Sequence, residues 1–268
     1  MIGRITVKFI TTLITLNLIL FGTLSYADIE QARLDAVTAD LQARIDEGKL
    51  SGAVVMIAQN GEIQLSKALG YQNVEDEIPM QEDTIFRIFS MTKPITGTAL
   101  MVLHDEGKFE LNDTVEKYLP ELGGMEVFVS QNDDGNWVTE PANHPMTIRE
   151  LMSHTAGLTY GIFGNSAIDQ QYRAAMFGED YQFDFSNTTI NADASKIKTL
   201  DDLVNAIGPI PLQYQPGTQW VYSLSVDVLG AVIEKISGQT LDIFMRERLF
   251  EPLKMNDTFF EVPQDKIH

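Results

Sequence analysis

The stretch that most constrains this chain is residues 86–107, with the sequence FRIFSMTKPITGTALMVLHDEG. Apolar side chains recur in it at helical spacing and Gly107 is a stop signal, so the pattern predicts a helix. Because proline is tolerated only in the first turn of a helix, Pro94 indicates that this helix begins near Ser90. Ser90 and Lys93 are then three residues apart and lie on one helical face.

A serine and a lysine placed in this way predict a nucleophilic site. A serine hydroxyl needs a base to become a nucleophile, and a lysine one turn away can be that base if it is kept neutral. The helix start adds backbone N–H groups and a positive dipole end, which suit a developing oxyanion at Ser90. The S-x-x-K spacing alone is weak evidence, because it recurs by chance at Ser195 and Lys198. The alternative for Ser90 is that its hydroxyl only caps the helix.

Further blocks follow this helix in order: GKFELNDTVEKYLPEL, TIRELMSHTAGLTYG, QPGTQWVYSLSVDVLG and LFEPLKMNDTFF. Together with TIFRIFSMTKPITGTALMVL, they resemble the serine β-lactamase and penicillin-binding protein superfamily. The resemblance runs from about Leu50 onward and is greatest to class C β-lactamases and family VIII carboxylesterases. It implies an α/β fold of the α+β type, in which helices flank an antiparallel sheet. A mostly helical lobe is expected at roughly residues 76–254.

The resemblance implies a third site residue, Tyr222, which matches the tyrosine of the family's second motif. A phenol has a pKa of about 10 and is a poor base at neutral pH. Held beside the ammonium of Lys93, its anion would be favoured, and it could exchange a proton with Ser90. Whether Lys93 or Tyr222 is the formal base stays open, since a coupled pair titrates as a unit. Without the resemblance, Tyr222 is interpreted as a half-buried strand tyrosine.

Position 224 bears on the substrate. Class C β-lactamases carry an asparagine two residues after the motif tyrosine, where its amide helps to bind the β-lactam side chain, but this chain has Leu224. Leucine can neither donate nor accept that hydrogen bond, and Y-S-L resembles the esterase pattern. We therefore predict hydrolysis of short-chain carboxylic esters through a covalent acyl-serine, with Trp220 and Leu224 contacting the substrate. The alternatives are a β-lactamase or D-amino-acid peptidase, and a non-catalytic penicillin-binding relative.

The first 27 residues are predicted to be a signal peptide. Arg4 and Lys8 precede an apolar run at residues 9–24, and the run Ser25-Tyr26-Ala27 has the small-x-small pattern of a cleavage site. This pattern predicts cleavage after Ala27 and a periplasmic or secreted protein. The alternative is an uncleaved membrane anchor, which the short apolar run disfavours.

Composition excludes several other classes of function. The net charge of −19 over 268 residues argues against binding to nucleic acid and to anionic membranes. His154 lies in the HTAG run, which the resemblance indicates is structural, and the other histidines show no metal-ligand spacing. We therefore predict no metal and no cofactor, an ester or a β-lactam or peptide as the small-molecule substrate, no nucleic acid and no stable membrane anchor, and the oligomeric state stays open.

Local signals predict the remaining elements. Asn60-Gly61 joins two strand-like runs, which is the strongest short hairpin signal. A helix is expected before that hairpin, a second hairpin around residues 132–135, and helices at residues 111–119, 147–153, 200–207, 225–238 and 240–250. The polar residues 161–198 either cover the site and select the acyl group or form a plain surface excursion.

The resemblance also implies a third motif on a later strand, a Lys or His followed by a small residue and Gly, which supplies the second oxyanion N–H. No such motif occurs up to His268, although residues 258–262 are strand-like. We therefore interpret residues 28–268 as a hydrolase domain that is C-terminally incomplete, with its last strands missing. Because one oxyanion donor is worth roughly 10²–10³ in rate, this chain alone is expected to be poorly folded or nearly inactive.

Overall fold

The computed structural model describes residues 29–178 and 195–267. The chain divides into two compact units, and the boundary falls between Phe86 and Arg87. The predicted signal peptide lies outside the described residues, as do residues 179–194 of the long polar segment.

The first unit consists of a helix and an antiparallel sheet. Its elements are α1 (Gln31–Asp46), β1 (Gly52–Gln59), β2 (Glu62–Asn73) and the short β3 (Ile78–Pro79), with the strands in the order β1-β2-β3. Asn60 and Gly61 connect β1 to β2 with φ values of 54° and 82°. These left-handed values are the ones that a tight two-residue hairpin turn requires. The predicted hairpin and the helix before it are therefore confirmed.

The second unit is mostly helical. Its helices are α2 (Thr92–Asp105), α3 (Ile148–Met152), α4 (Ala167–Phe177), α5 (Leu200–Ile207), α6 (Ser225–Ser237) and α7 (Leu241–Met245), and a π-helical turn over Arg246–Phe250 continues α7. β4 (Glu126–Gln131) and β5 (Trp137–Pro141) pair antiparallel, which confirms the predicted second hairpin. Helices and antiparallel sheets are both present, as the predicted fold class requires.

Helix α6 forms the centre of the core of this unit. Val228, Ala231, Val232 and Ile233 are 0% exposed, and α6 packs against α2, α3, α5 and α7. The helix ends at Gly238, whose φ of 71° is the left-handed conformation that glycine adopts without a Cβ clash. Because α2 packs on α6, the segments that precede these two helices, which carry Ser90 and Tyr222, can meet.

Capping boxes begin three of these helices. In each, the side chain of the cap residue accepts a backbone N–H three residues on, and the carboxylate at that position accepts the N–H of the cap residue. The pairs are Thr147 with Glu150 at α3, Ser166 with Asp169 at α4, and Thr199 with Asp202 at α5. The sequence predicted helices near the positions of α3 and α5 but missed α4, which lies within the polar residues 161–198.

Two sequence-based expectations are wrong. Residues 111–119 form only a 3₁₀ turn over Val115–Lys117 instead of a helix. The Asp113 carboxylate accepts the Glu110 N–H at 2.9 Å, and this local bond holds a turn that competes with the helix. Residues 258–262 form bends and irregular backbone rather than a strand, because a strand exists only where a neighbouring strand pairs with its backbone.

Asp169 links α4 to the loop that precedes it. Its carboxylate is 2% exposed and accepts the Ser166 N–H at 2.9 Å and the Ser166 and Thr159 hydroxyls. Asp169→Ala leaves these donors without an acceptor, so it is expected to lower the free energy of unfolding by roughly 2–4 kcal/mol in urea titrations. Gln171→Ala, at an exposed position of the same helix, is the control and should change it by less than about 0.5 kcal/mol. Equal effects of the two substitutions would contradict this account.

Candidate active site

Ser90 lies where the chain enters α2. A 3₁₀ turn over Phe89–Met91 leads into the helix, so Pro94 falls in the first turn as predicted. Phe89 has a φ of 44°, a left-handed conformation that costs energy for an aromatic residue and is common at functional sites. Ser90 itself is exposed. The turn therefore leaves an accessible hydroxyl at the start of the helix.

Tyr222 reaches Ser90 from the segment before α6. Its phenol oxygen is 2.6 Å from Ser90 Oγ, which is hydrogen-bond distance. The backbone N–H of Val221 donates to the carbonyl of His154 at 2.9 Å and ties this segment to the loop after α3. The structure therefore brings together two residues that the sequence predicted for one site.

Lys93 lies beside the same tyrosine. Its Nζ is 4.8 Å from the ring centroid of Tyr222 and 5.4 Å from that of Tyr160. An ammonium over an aromatic face at such distances makes a favourable cation–π contact. The three predicted catalytic residues, Ser90, Lys93 and Tyr222, thus lie together, and their individual roles stay predictions.

The surroundings favour a charged lysine and an acidic tyrosine. Burial lowers the pKa of Lys93, but its hydrogen bond with Tyr222 and the nearby acidic groups outweigh burial and raise that pKa above its ordinary value. Burial raises the pKa of Tyr222, but hydrogen bonds with Lys93 and Ser90 and the lysine charge lower it by more. The two shifts run in opposite directions, towards a protonated Lys93 and a more acidic Tyr222, and the choice of formal base between them stays a prediction.

Tyr160 and Asp227 are site residues that the sequence analysis missed. The rings of Tyr160 and Tyr222 are stacked, with centroids 5.3 Å apart and 14° between their planes. Burial raises the pKa of Tyr160, opposite in direction to Tyr222. Asp227, in the first turn of α6, acts electrostatically on Lys93, and burial raises its own pKa. Both residues lie within blocks that carry the family resemblance, which was the available signal.

His154 lies against the tyrosine segment. Its ring centroid is 5.0 Å from that of Tyr222. Ser223 donates its N–H to His154 Nδ1 at 3.3 Å, and the Ser223 hydroxyl lies 3.1 Å from the same nitrogen. Burial and the charge of Lys93 lower the pKa of His154, which favours a neutral ring. These contacts agree with the structural interpretation of the HTAG run.

The two predicted substrate contacts have different surroundings. Trp220 is 64% exposed, and its ring lies 6.4 Å from that of Tyr222, at the rim of the site. Leu224 is 7% exposed and belongs to the hydrophobic core. Little of the Leu224 side chain is therefore open to a substrate. What distinguishes this position is that leucine provides no amide for a hydrogen bond. Substrate contact by either residue stays a prediction.

Two negative findings concern residues 29–178 and 195–267. Within these ranges, no group of three or more His, Cys, Asp or Glu side chains is placed to hold a metal ion. No helix in the same ranges combines the length and the apolar character that crossing a membrane requires.

Comparison with known proteins decides the family. The family model described as beta-lactamase matches residues 34–268. The chain belongs to the beta-lactamase family. This confirms the resemblance seen in the sequence, and the predicted fold class with it.

Relatives within this family include esterases. The chain is 35% identical over 229 residues to esterase EstB of Burkholderia gladioli, covering 85% of this chain and 51% of the relative. It is 29% identical over 230 residues to lovastatin esterase of Penicillium rubens, covering 84% of this chain and 53% of the relative. Among solved structures it is similar to EstCE1, a hydrolase with promiscuous acyltransferase activity, with a TM-score of 0.65 and 30% identity over 84% of this chain and 52% of that one. The chain thus spans about half the length of these relatives.

Proposed function

We propose that this protein is an exported serine hydrolase that cleaves short-chain carboxylic esters through a covalent acyl-serine. The observation that carries the proposal is the 2.6 Å separation of Ser90 Oγ and the Tyr222 phenol oxygen, with Lys93 Nζ 4.8 Å from the Tyr222 ring. A base within hydrogen-bond reach is what makes a serine hydroxyl nucleophilic. The names of esterase EstB and lovastatin esterase support an ester as the substrate.

Acylation begins with the phenolate of Tyr222. It takes the proton of Ser90 Oγ as that oxygen attacks the ester carbonyl carbon. The resulting oxyanion is stabilised by the backbone N–H of Ser90 at the start of α2, where the helix dipole favours negative charge. Tyr222 then gives the proton to the departing alkoxide as the C–O bond of the ester breaks. The alcohol leaves, and the acyl group stays on Ser90.

Deacylation repeats these steps with water as the nucleophile. Tyr222 takes a proton from the attacking water and returns it to Ser90 Oγ as the acyl–serine bond breaks, which releases the carboxylic acid. Lys93 exchanges no proton in this scheme, and its ammonium stabilises the phenolate in both halves. The raised pKa of Lys93 and the lowered pKa of Tyr222 support this division of roles.

Detection of the acyl-enzyme tests this function. The protein as produced from its gene is mixed with p-nitrophenyl butyrate, and p-nitrophenol release is followed together with the masses of proteolytic peptides. We expect turnover, and one butyryl group on the peptide that contains Ser90. Nitrocefin should be hydrolysed far more slowly, because Leu224 offers no hydrogen bond to the β-lactam side chain. Faster turnover of nitrocefin would favour a β-lactamase instead, and retention of a fluorescent penicillin without turnover of any ester would favour a non-catalytic penicillin-binding protein.

Export is the second part of the proposal. It is supported by the charged start, the apolar run at residues 9–24 and the small-x-small site ending at Ala27. When the protein is expressed in a bacterium with its own leader, N-terminal sequencing of the periplasmic and medium fractions should find a chain that begins at Asp28. Recovery of a chain that still carries residues 1–27 would contradict cleavage, and its location in the membrane fraction would favour the uncleaved anchor.

A further inference from the structure

The ammonium of Lys93 contacts two aromatic rings rather than one. Its Nζ is 4.8 Å from the centroid of Tyr222 and 5.4 Å from that of Tyr160. The two rings stack on each other at 5.3 Å, and Phe163 stacks on Tyr160 at 5.1 Å. The lysine head group therefore lies beside a row of stacked rings, of which Tyr222 alone has a role in the proposed chemistry.

Tyr160 is held in this row by bonds on both sides of it in the chain. On one side, the Thr159 hydroxyl donates to the buried carboxylate of Asp169. On the other side, the Arg173 guanidinium donates to the carbonyl of Gly161. Gly161 has a φ of 79°, and a Cβ there would lie 2.7 Å from a neighbouring side chain, so the loop fits closely on α4. Tyr160 thus belongs to an anchored loop, as a residue with a positional role requires.

We propose that Tyr160 is a positioning residue whose ring holds the Lys93 ammonium against Tyr222. This inference rests on the proposed function, in which the Tyr222 phenolate is the base. A lysine ammonium is a compact, strongly hydrated charge on a flexible stem, so it can also occupy positions in solvent away from the two rings. A second aromatic face next to the first favours the position beside Tyr222 over positions in solvent.

The charges around Tyr222 make the position of Lys93 important. The titratable groups around Tyr222 are Lys93 on α2, Asp227 on α6, and His154 and Tyr160 on the loop between α3 and α4. Lys93 is the cation that lowers the pKa of Tyr222, whereas Asp227 acts in the opposite direction. His154 contributes little charge, since burial and Lys93 lower its pKa. If Lys93 moves away, only the hydrogen bond with Ser90 still opposes burial and Asp227, so the phenolate is harder to form.

Three variants separate the ring from its hydroxyl. Tyr160→Leu and Tyr160→Met both remove the aromatic face, so that one can be used if the other does not fold. Tyr160→Phe keeps the aromatic face and removes only the hydroxyl. For each, kcat and KM for p-nitrophenyl butyrate are measured across pH. The ionisation of Tyr222 is followed by absorbance, as the difference between the titration of each variant and that of the same variant carrying Tyr222→Phe. This measurement does not depend on activity.

The aliphatic variants are expected to shift the acidic limb of kcat/KM and the Tyr222 titration together, to higher pH by about one unit. At pH 7, kcat should then fall about tenfold, while KM changes by less than about threefold. Tyr160→Phe should keep both curves where they are in the wild type. An unshifted Tyr222 titration in folded aliphatic variants, or a Phe variant as impaired as they are, would overturn the positioning role.

The same measurements keep this inference apart from the proposed function. If Ser90→Ala abolishes turnover but the Tyr222 titration does not move in the aliphatic variants, only the role of Tyr160 fails. If the wild type hydrolyses no ester, the proposed function fails, and the absorbance titration still decides whether Tyr160 controls the acidity of Tyr222.

Discussion

In the protein as produced from its gene, Ser90→Ala is expected to abolish hydrolysis of p-nitrophenyl butyrate, lowering kcat by roughly 10⁴–10⁶-fold. The hydroxyl that it removes is the one 2.6 Å from the Tyr222 phenol, and the proposed acyl-enzyme forms on its oxygen. Ser90 is exposed, so the substitution creates no cavity in the core, and the midpoint of urea unfolding should not change. The measurement is p-nitrophenol release at saturating substrate, with mass spectrometry to show that no butyryl-protein accumulates.

The chain provides a matched control in its second S-x-x-K sequence. Ser195 has the same spacing from Lys198 as Ser90 has from Lys93. Its hydroxyl, however, is engaged with the backbone of Ile197, accepting the N–H at 3.1 Å and lying 3.2 Å from the carbonyl oxygen. Ser195→Ala should therefore leave kcat within about twofold of the wild type. More than about 1% residual activity in Ser90→Ala, at equal purity, would mean that another nucleophile performs the reaction.

Tyr222→Phe is expected to lower kcat by roughly 10²–10⁴-fold. The phenylalanine ring can keep the stacking on Tyr160 and the contact with Lys93, but it cannot accept the proton of Ser90. Because packing is retained, the loss should appear in kcat with little change in the urea midpoint. Retention of most of the wild-type kcat would show that Tyr222 is not the base and return the role to Lys93.

The pH dependence of kcat/KM tests the proposed electrostatic role of Lys93. The proposed base must be deprotonated, so kcat/KM falls as pH falls through the pKa of Tyr222. Lys93 lowers that pKa, and Lys93→Met should therefore move the acidic limb to higher pH, with the greatest loss of activity at neutral pH and partial recovery in alkaline buffer. Lys93→Arg keeps a positive charge and should move the limb less. A limb that stays in place in Lys93→Met would contradict the electrostatic role.

Most of the secondary structure could be predicted because its signals are local. The turn at Asn60-Gly61 and the capping boxes at Thr147 and Thr199 each depend on residues within three or four positions of one another. The same reasoning failed for residues 111–119, where the Asp113 side chain bonds the backbone that a helix would use. It also failed for residues 258–262, because a strand depends on a neighbour that local sequence does not specify.

The sequence by itself determined the identities of the three predicted catalytic residues. The spacing of Ser90, Lys93 and Pro94 defines one helical face, and the order of the family blocks pointed to Tyr222. Only the tertiary structure decided that Tyr160 stacks on Tyr222 and that the surroundings raise the pKa of Lys93 and lower that of Tyr222. The physical reason is that protonation depends on burial and on charges brought from distant parts of the chain, and these exist only once the helices have packed.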